Sequence, residues 1–135
     1  MHERILYWIK SGVYASGIVW MALHYGFARG AAGQGVHRWE PTVMEIHGAF
    51  AMAALMLLGS LVSTHVARAW RARLNLASGI SAGAASALLV LTGYLLYYAG
   101  NDSVRAASSV MHMVLGALGP LVLVWHVRAA RRLRS

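Results

Sequence analysis

The stretch VMEIHGAFAMAALMLLGSLVSTHVA, residues 43–67, carries one formally charged side chain, Glu45, with a histidine near each end, His47 and His65. A helix needs roughly 20 predominantly apolar residues to cross hydrocarbon, and this run supplies them. Three further runs of the same kind occupy residues 5–27, 76–99 and 106–127. Of the 135 residues, 59% are hydrophobic and only 12% are charged, against about a quarter charged in an ordinary soluble domain. The expected fold is therefore all-α, a four-helix transmembrane bundle forming one domain over residues 1–135. Three short connections and a basic tail remain, which leaves no soluble catalytic domain, so a large reaction requires a partner. The first run is longer than the apolar segment of a secretory signal and has no clear small-residue cleavage site, so it reads as retained.

The formal charge of +8 raises a nucleic-acid reading, but the cations cluster at helix ends and form no basic face. They follow the positive-inside rule instead. Arg4 and Lys10 lie at the start, Arg68, Arg71 and Arg73 between the second and third runs, and Arg128, Arg131, Arg132 and Arg134 at the end. Arg29, Arg38 and Arg105 fall on the other side. Both termini are expected to be cytoplasmic, in a multi-pass protein of the bacterial inner membrane. Lys10 can snorkel from its run to the headgroups. The chain has no cysteine, which excludes disulfides, thioether-attached haem and cysteine-bound iron–sulfur clusters.

The connection after the first run is rich in glycine, with Gly30, Gly33 and Gly35, and reads as a loop. Thr42 is the expected N-cap of the second helix, with Glu45 completing a capping box. The segment 68–75 reads as a short basic link, and Gly100-Asn101-Asp102-Ser103 as a tight turn that also matches a glycosylation sequon. The two halves repeat weakly. Ser11-Gly12-Val13 and Ala15 align with Ser78-Gly79-Ile80 and Ala82, Gly26 aligns with Gly93, and His65-Val66-Ala67-Arg68 resembles His126-Val127-Arg128.

Seven histidines are present, and a polar, ionisable side chain inside a span defaults to a functional role. Four are ordered by depth: His47 and His112 toward the outside, His65 and His126 toward the cytoplasm. At about 100° per residue, the step from His112 to His126 returns to within roughly 40° of one face, and the step from His47 to His65 completes about five turns. The two levels are then separated by about 21 Å on the fourth helix and about 27 Å on the second. On the first and third helices Gly12 and Gly26 share one spacing with Gly79 and Gly93, and a glycine lets a flat macrocycle approach the backbone.

Histidines and glycines in this pattern resemble the di-haem membrane cytochrome b class, including the four-helix cytochrome b subunits of formate dehydrogenases and nickel–iron hydrogenases and small quinone-linked bacterial cytochromes b. The resemblance covers all four runs through sparse spacings. It implies two haems b, with iron ligated by His47, His112, His65 and His126, the outer site from His47 with His112 and the inner from His65 with His126. It also implies ring clearance at Gly12, Gly26, Gly79 and Gly93. The longer spacing of His47 and His65 departs from the class and offsets the two helices by about 6 Å, which tilt or distortion near Gly116, Gly119 and Pro120 would have to absorb. Arg68 and Arg128 stand where guanidinium groups could meet inner propionates, and Arg38 and Arg105 could do so outside, although basic loops also arise from topology alone.

Bis-imidazole ligation suits outer-sphere electron transfer. The implied function is electron transfer across the bilayer between a quinone pool and a redox partner, as a subunit of a larger respiratory complex. The expected partners are membrane lipid, quinone and a redox protein, a periplasmic or cytoplasmic dehydrogenase or cytochrome, with no nucleic acid. A stand-alone quinone-reducing enzyme is a variant of this reading. His2, His24 and His37 read as interfacial, with His24 also placed to meet a quinone carbonyl. Met44, Met52, Met56, Met111 and Met113 read as packing, and Trp8, Trp39, Trp70 and Trp125 as interfacial belts. Two other classes are a small histidine-lined transporter or metal-handling membrane protein, which requires an acidic or histidine-lined path, and a purely structural subunit, in which the paired histidines have no role.

Overall fold

The computed structural model describes residues 2–27 and 36–132. Gly30, Gly33, Gly35, Arg29 and Arg134 lie outside them. The described residues are helical throughout, joined by short turns, with no strand among them. Helix α1 is His2–Met21 and passes into a π-helical turn, Ala22–Phe27. Helix α2 is Glu40–Leu61, followed by a second π-helical turn, Val62–Val66, and a short helix α3, Ala67–Arg71. Helices α4, Leu76–Tyr98, and α5, Asp102–Arg132, complete the chain. Three helical stretches are long and apolar enough to cross a membrane: Glu40–Arg71, Leu76–Tyr98 and Asp102–Arg132. Helix α1 is more polar, since its 20 residues include Glu3, Arg4, Lys10, Ser11 and Ser16.

The chain forms two compact units, one ending at Leu61 and the other beginning at Val62. In the first, α1 packs on α2; in the second, α4 packs on α5. No hydrophobic residue is buried among those described, whereas Trp8, Met56, Leu121 and Tyr98 stand well exposed. The buried residues are Ser16, Glu40, Ser78, Thr92 and Ser108. In water each exposed Leu, Val, Ile, Phe or Met would forgo about 1.5–3 kcal/mol of burial. Five polar residues do not offset that loss, and a hydrocarbon exterior removes it.

Local chemistry explains the helix ends and corrects several expectations. The second helix begins at Glu40, so Thr42 lies inside its first turn and is not the N-cap. The cap is assembled earlier: Glu40 Oε1 accepts the His37 backbone N–H at 3.0 Å, and His37 Nδ1 accepts the Trp39 N–H at 3.3 Å. Pro41 fits this first turn because its missing N–H would have no helical partner there. The basic link is shorter than expected because α3 carries the helix through Arg71. Arg73 and Asn75 then adopt positive φ, 50° and 53°, to reverse the chain. The tight turn contracts as well. Asn101 Oδ1 accepts the N–H groups of Ser103 and Val104 at 2.9 and 3.2 Å, capping α5, so Asp102 and Ser103 are already helical. Pro120 lies inside α5 and removes one backbone donor there.

Candidate functional site

Four of the five buried residues hold a histidine. In the first unit, Ser16 Oγ lies 3.0 Å from His47 Nδ1 and is 8% exposed. In the second, Thr92 Oγ1 lies 2.9 Å from His112 Nδ1 and Ser78 Oγ lies 3.0 Å from His126 Nδ1; these hydroxyl residues are 2% and 1% exposed. The fourth, Glu40, binds His24.

Counting protons assigns the tautomers. A hydroxyl has one proton to give. Thr92 donates its proton to Leu88 O at 2.7 Å, so toward His112 it can only accept. Ser16 donates to Gly12 O at 2.7 Å, and His47 Nδ1 also lies 3.1 Å from Val13 O, an acceptor only. Ser78 donates to Asn75 Oδ1 at 2.6 Å, while Asn75 Nδ2 donates to His126 O at 3.2 Å. Asn75 Nδ2 is also 3.5 Å from His126 Nδ1, too long to compete with the 3.0 Å contact. In all three histidines Nδ1 therefore carries the proton. A neutral ring in this tautomer has its lone pair on Nε2, and a hydrogen bond of this kind fixes the ring orientation of metal-ligating histidine.

Each seat pairs the hydroxyl residue with the glycine that follows it. A Cβ on Gly17 would meet His47 Cε1 at 3.3 Å, one on Gly93 would meet His112 Cε1 at 3.4 Å, and one on Gly79 would meet His126 Cε1 at 3.8 Å. Only the contact at Gly17 is tighter than ordinary van der Waals distance; at Gly93 and Gly79 a Cβ would rest against the imidazole edge. Of the glycines singled out from sequence, Gly79 and Gly93 line two seats. Gly12 faces the Phe50 ring, which a Cβ would overlap, and Gly26 faces open space. In the first half the counterpart of Thr92-Gly93 is Ser16-Gly17. Ser16, Gly17, Asn75, Ser78 and Thr92 are the residues that sequence reasoning missed. The legible signal was the hydroxyl–glycine dipeptide opposite a histidine.

His65 lies in the π-helical turn and is held differently. Its ring stands edge-on to that of His126, with centroids 6.1 Å apart and planes at 85°. The expected inner pair is thus adjacent within the second unit, and π-helical turns recur at functional sites. The α-helical phase computed from His47 to His65 does not carry through Val62–Val66, because a π turn changes the rotation per residue. Two shallow grooves lie within the second unit, neither of them lined by a histidine. One is lined by Ser63, Thr64, Arg68 and Arg71, the other by Asn75, Trp125, Arg128 and Arg132. Arg105 pairs with Asp102 at 2.6 Å, and Arg38 lies over the Trp39 ring at 5.2 Å.

Among the described residues no group of three or more His, Cys, Asp or Glu gathers as a metal site. No family model, curated protein or solved structure matches the chain.

Proposed function

We propose that the chain is a membrane cytochrome of the b type, holding two haems through His47, His112, His65 and His126 and passing electrons across the bilayer between a quinone pool and a redox partner, as part of a larger respiratory complex. The observation that carries this reading is the set of three buried hydroxyl seats, each holding a histidine Nδ1–H and assigning the lone pair to Nε2. A metal-ligating histidine almost always donates its other ring N–H to a hydrogen-bond acceptor in this way. Plain polar packing between helices would not require the same tautomer three times.

The separation of one histidine pair is compatible with the group. Two imidazoles that share one metal ion at ~2 Å from each ligating nitrogen have centroids about 6 Å apart, as His65 and His126 do. An edge-to-face aromatic contact suits that distance equally, so the tautomers and not the separation support the reading. Arg68 and Arg128 follow His65 and His126 closely in sequence and each lines a groove of the second unit, where a guanidinium could hold a propionate. A bis-imidazole haem supplies one-electron transfer with no open coordination position. The chain's own part is to orient the rings, hold the tautomers of three of them and present apolar side chains to lipid.

The fuller topology belongs to the same proposal: four spans, α1 included, with both termini cytoplasmic in a bacterial inner membrane. It is supported by the arginine distribution and the bare apolar exteriors of the helices. The metal-handling alternative gains no support from the absence of a three-ligand group among the described residues. The deciding experiment is a reduced-minus-oxidised visible spectrum of the purified protein with a pyridine haemochrome assay. Two b haems per chain support the proposal; a folded preparation devoid of haem overturns it.

A further inference from the structure

The remaining buried anchor, Glu40, has no part in holding the proposed haem ligands. Its side chain is 7% exposed, and its Oε2 lies 2.9 Å from Nδ1 of His24, which is 43% exposed. Its Oε1 accepts the His37 backbone N–H. An ionised carboxylate can only accept, so His24 Nδ1 is the donor. The His24 ring is stacked on Trp20, with centroids 4.6 Å apart and planes at 13°, and Tyr25 stands edge-on at 4.8 Å. A buried anion is thus capped by an imidazole that reaches the surface.

The position of this pair gives it a use. Glu40 precedes His47 by seven residues on α2, within about 20° of two full turns and a rise of about 10 Å. Both His24–Glu40 and the Ser16–His47 seat bridge α1 to α2, so the two lie in one helix interface. Unit charges about 10 Å apart in a medium of effective dielectric constant about 20 shift an equilibrium by roughly tenfold. With a neutral His24 ring the pair carries the carboxylate's negative charge, which opposes the arrival of an electron nearby. With a protonated ring the pair is neutral.

Building on the haem reading, we infer that His24 and Glu40 form a proton-binding site linked to reduction at His47. One electron arrives from a reduced one-electron carrier, the redox partner, and one proton arrives from the aqueous phase at that end of the helices. The proton goes to His24 Nε2, while Nδ1–H stays on the Glu40 carboxylate. Oxidation releases both. Other titratable or charged groups around the pair among the described residues are Tyr25 on the α1 side and His37, Arg38 and Glu45 on the α2 side. Arg38 is engaged over Trp39, and His37 meets Glu40 through its backbone, so neither side chain replaces His24.

The test is a spectropotentiometric titration of the full-length protein in nanodiscs at several pH values. In the wild type, the midpoint of one haem should fall as pH rises, because deprotonation restores the negative charge and favours the oxidised state. The total fall across the titration should be about 59 mV, the one-electron equivalent of that tenfold coupling, while the other haem stays flat. His24→Gln should flatten the slope with both haems retained, Glu40→Gln should move it to lower pH because the imidazolium loses its carboxylate partner, and His37→Gln should leave it unchanged. If Glu40→Gln loses haem through misfolding, His24→Gln decides, because it leaves the carboxylate and the cap in place. A flat wild-type profile, or an unchanged slope in His24→Gln, overturns the proton site and leaves the haem reading standing. Absence of haem from the wild type overturns both.

Discussion

Ser78 accepts the Nδ1 proton of His126 at 3.0 Å only because its own proton is already committed to Asn75 Oδ1 at 2.6 Å. Asn75, in turn, sits at positive φ in the turn that opens α4, and its amide donates to the His126 backbone. The orientation of one ring is thereby tied to the conformation of one turn. Ser78→Ala leaves the ring proton without its acceptor, and loss of such a partner typically weakens ligand binding by about 10–100-fold. On the haem proposal, retention at the His126 site under competition with a haem scavenger should fall accordingly. Ser78→Thr, which keeps the hydroxyl, should retain most of the affinity.

The four histidines should separate cleanly by haem content. His112→Ala and His126→Ala are each expected to remove about one haem per chain, read by pyridine haemochrome, whereas His37→Ala should remove none. Loss of neither haem from His112→Ala and His126→Ala would sink the ligand assignment.

Gly12 and Gly93 should respond differently to the same change. A Cβ at Gly93 makes an ordinary contact with His112 at 3.4 Å, so Gly93→Ala should be tolerated. A Cβ at Gly12 overlaps the Phe50 ring, so Gly12→Ala should destabilise the first unit by about 1–3 kcal/mol, the usual range for overpacking. Thermal unfolding in detergent should show the difference, and Phe50→Leu should restore much of the Gly12→Ala loss.

The helix termini offer a test independent of any cofactor. Removing the cap in Asn101→Ala should cost about 1 kcal/mol, because the Ser103 and Val104 N–H groups lose their acceptor. Leu88→Lys places a charge near the middle of α4, where insertion is disfavoured by about 2.5–3.5 kcal/mol. The membrane-fraction yield of Leu88→Lys should drop, while Val104→Lys, near the start of α5, should insert normally.

The helices were legible because apolar run length is a direct physical signal, and the histidines because a polar ring is costly in such a run. The helix ends were less so. Thr42 with Glu45 fits a capping pattern, yet His37 and Glu40 supply the same two hydrogen bonds earlier and leave Pro41 at a position that suits it. Fixed α-helical arithmetic also cannot anticipate the π-helical turns holding His24 and His65. The seats were hidden for a different reason. Serine and threonine commonly bond back to their own helix, so the hydroxyl alone does not separate Thr92, which also meets His112, from Ser86, which returns its proton to Ala82; only the glycine after Thr92 does. Gly17 was passed over because the spacing argument favoured Gly26. The His24–Glu40 pair joins residues 16 apart across a glycine-rich connection, beyond the reach of local pattern.

The back-bonded hydroxyls bear on how such a chain is made. Ser16 and Thr92 give their protons to carbonyls of their own helices, so each helix can enter lipid during synthesis with no stranded hydroxyl donor. The lone pairs left over do not need a partner at that stage. The histidine N–H is the group that gains when neighbouring helices meet, which makes α1–α2 and α4–α5 hairpins natural early products of biogenesis. Each would expose an imidazole already in the tautomer that carries its lone pair on Nε2.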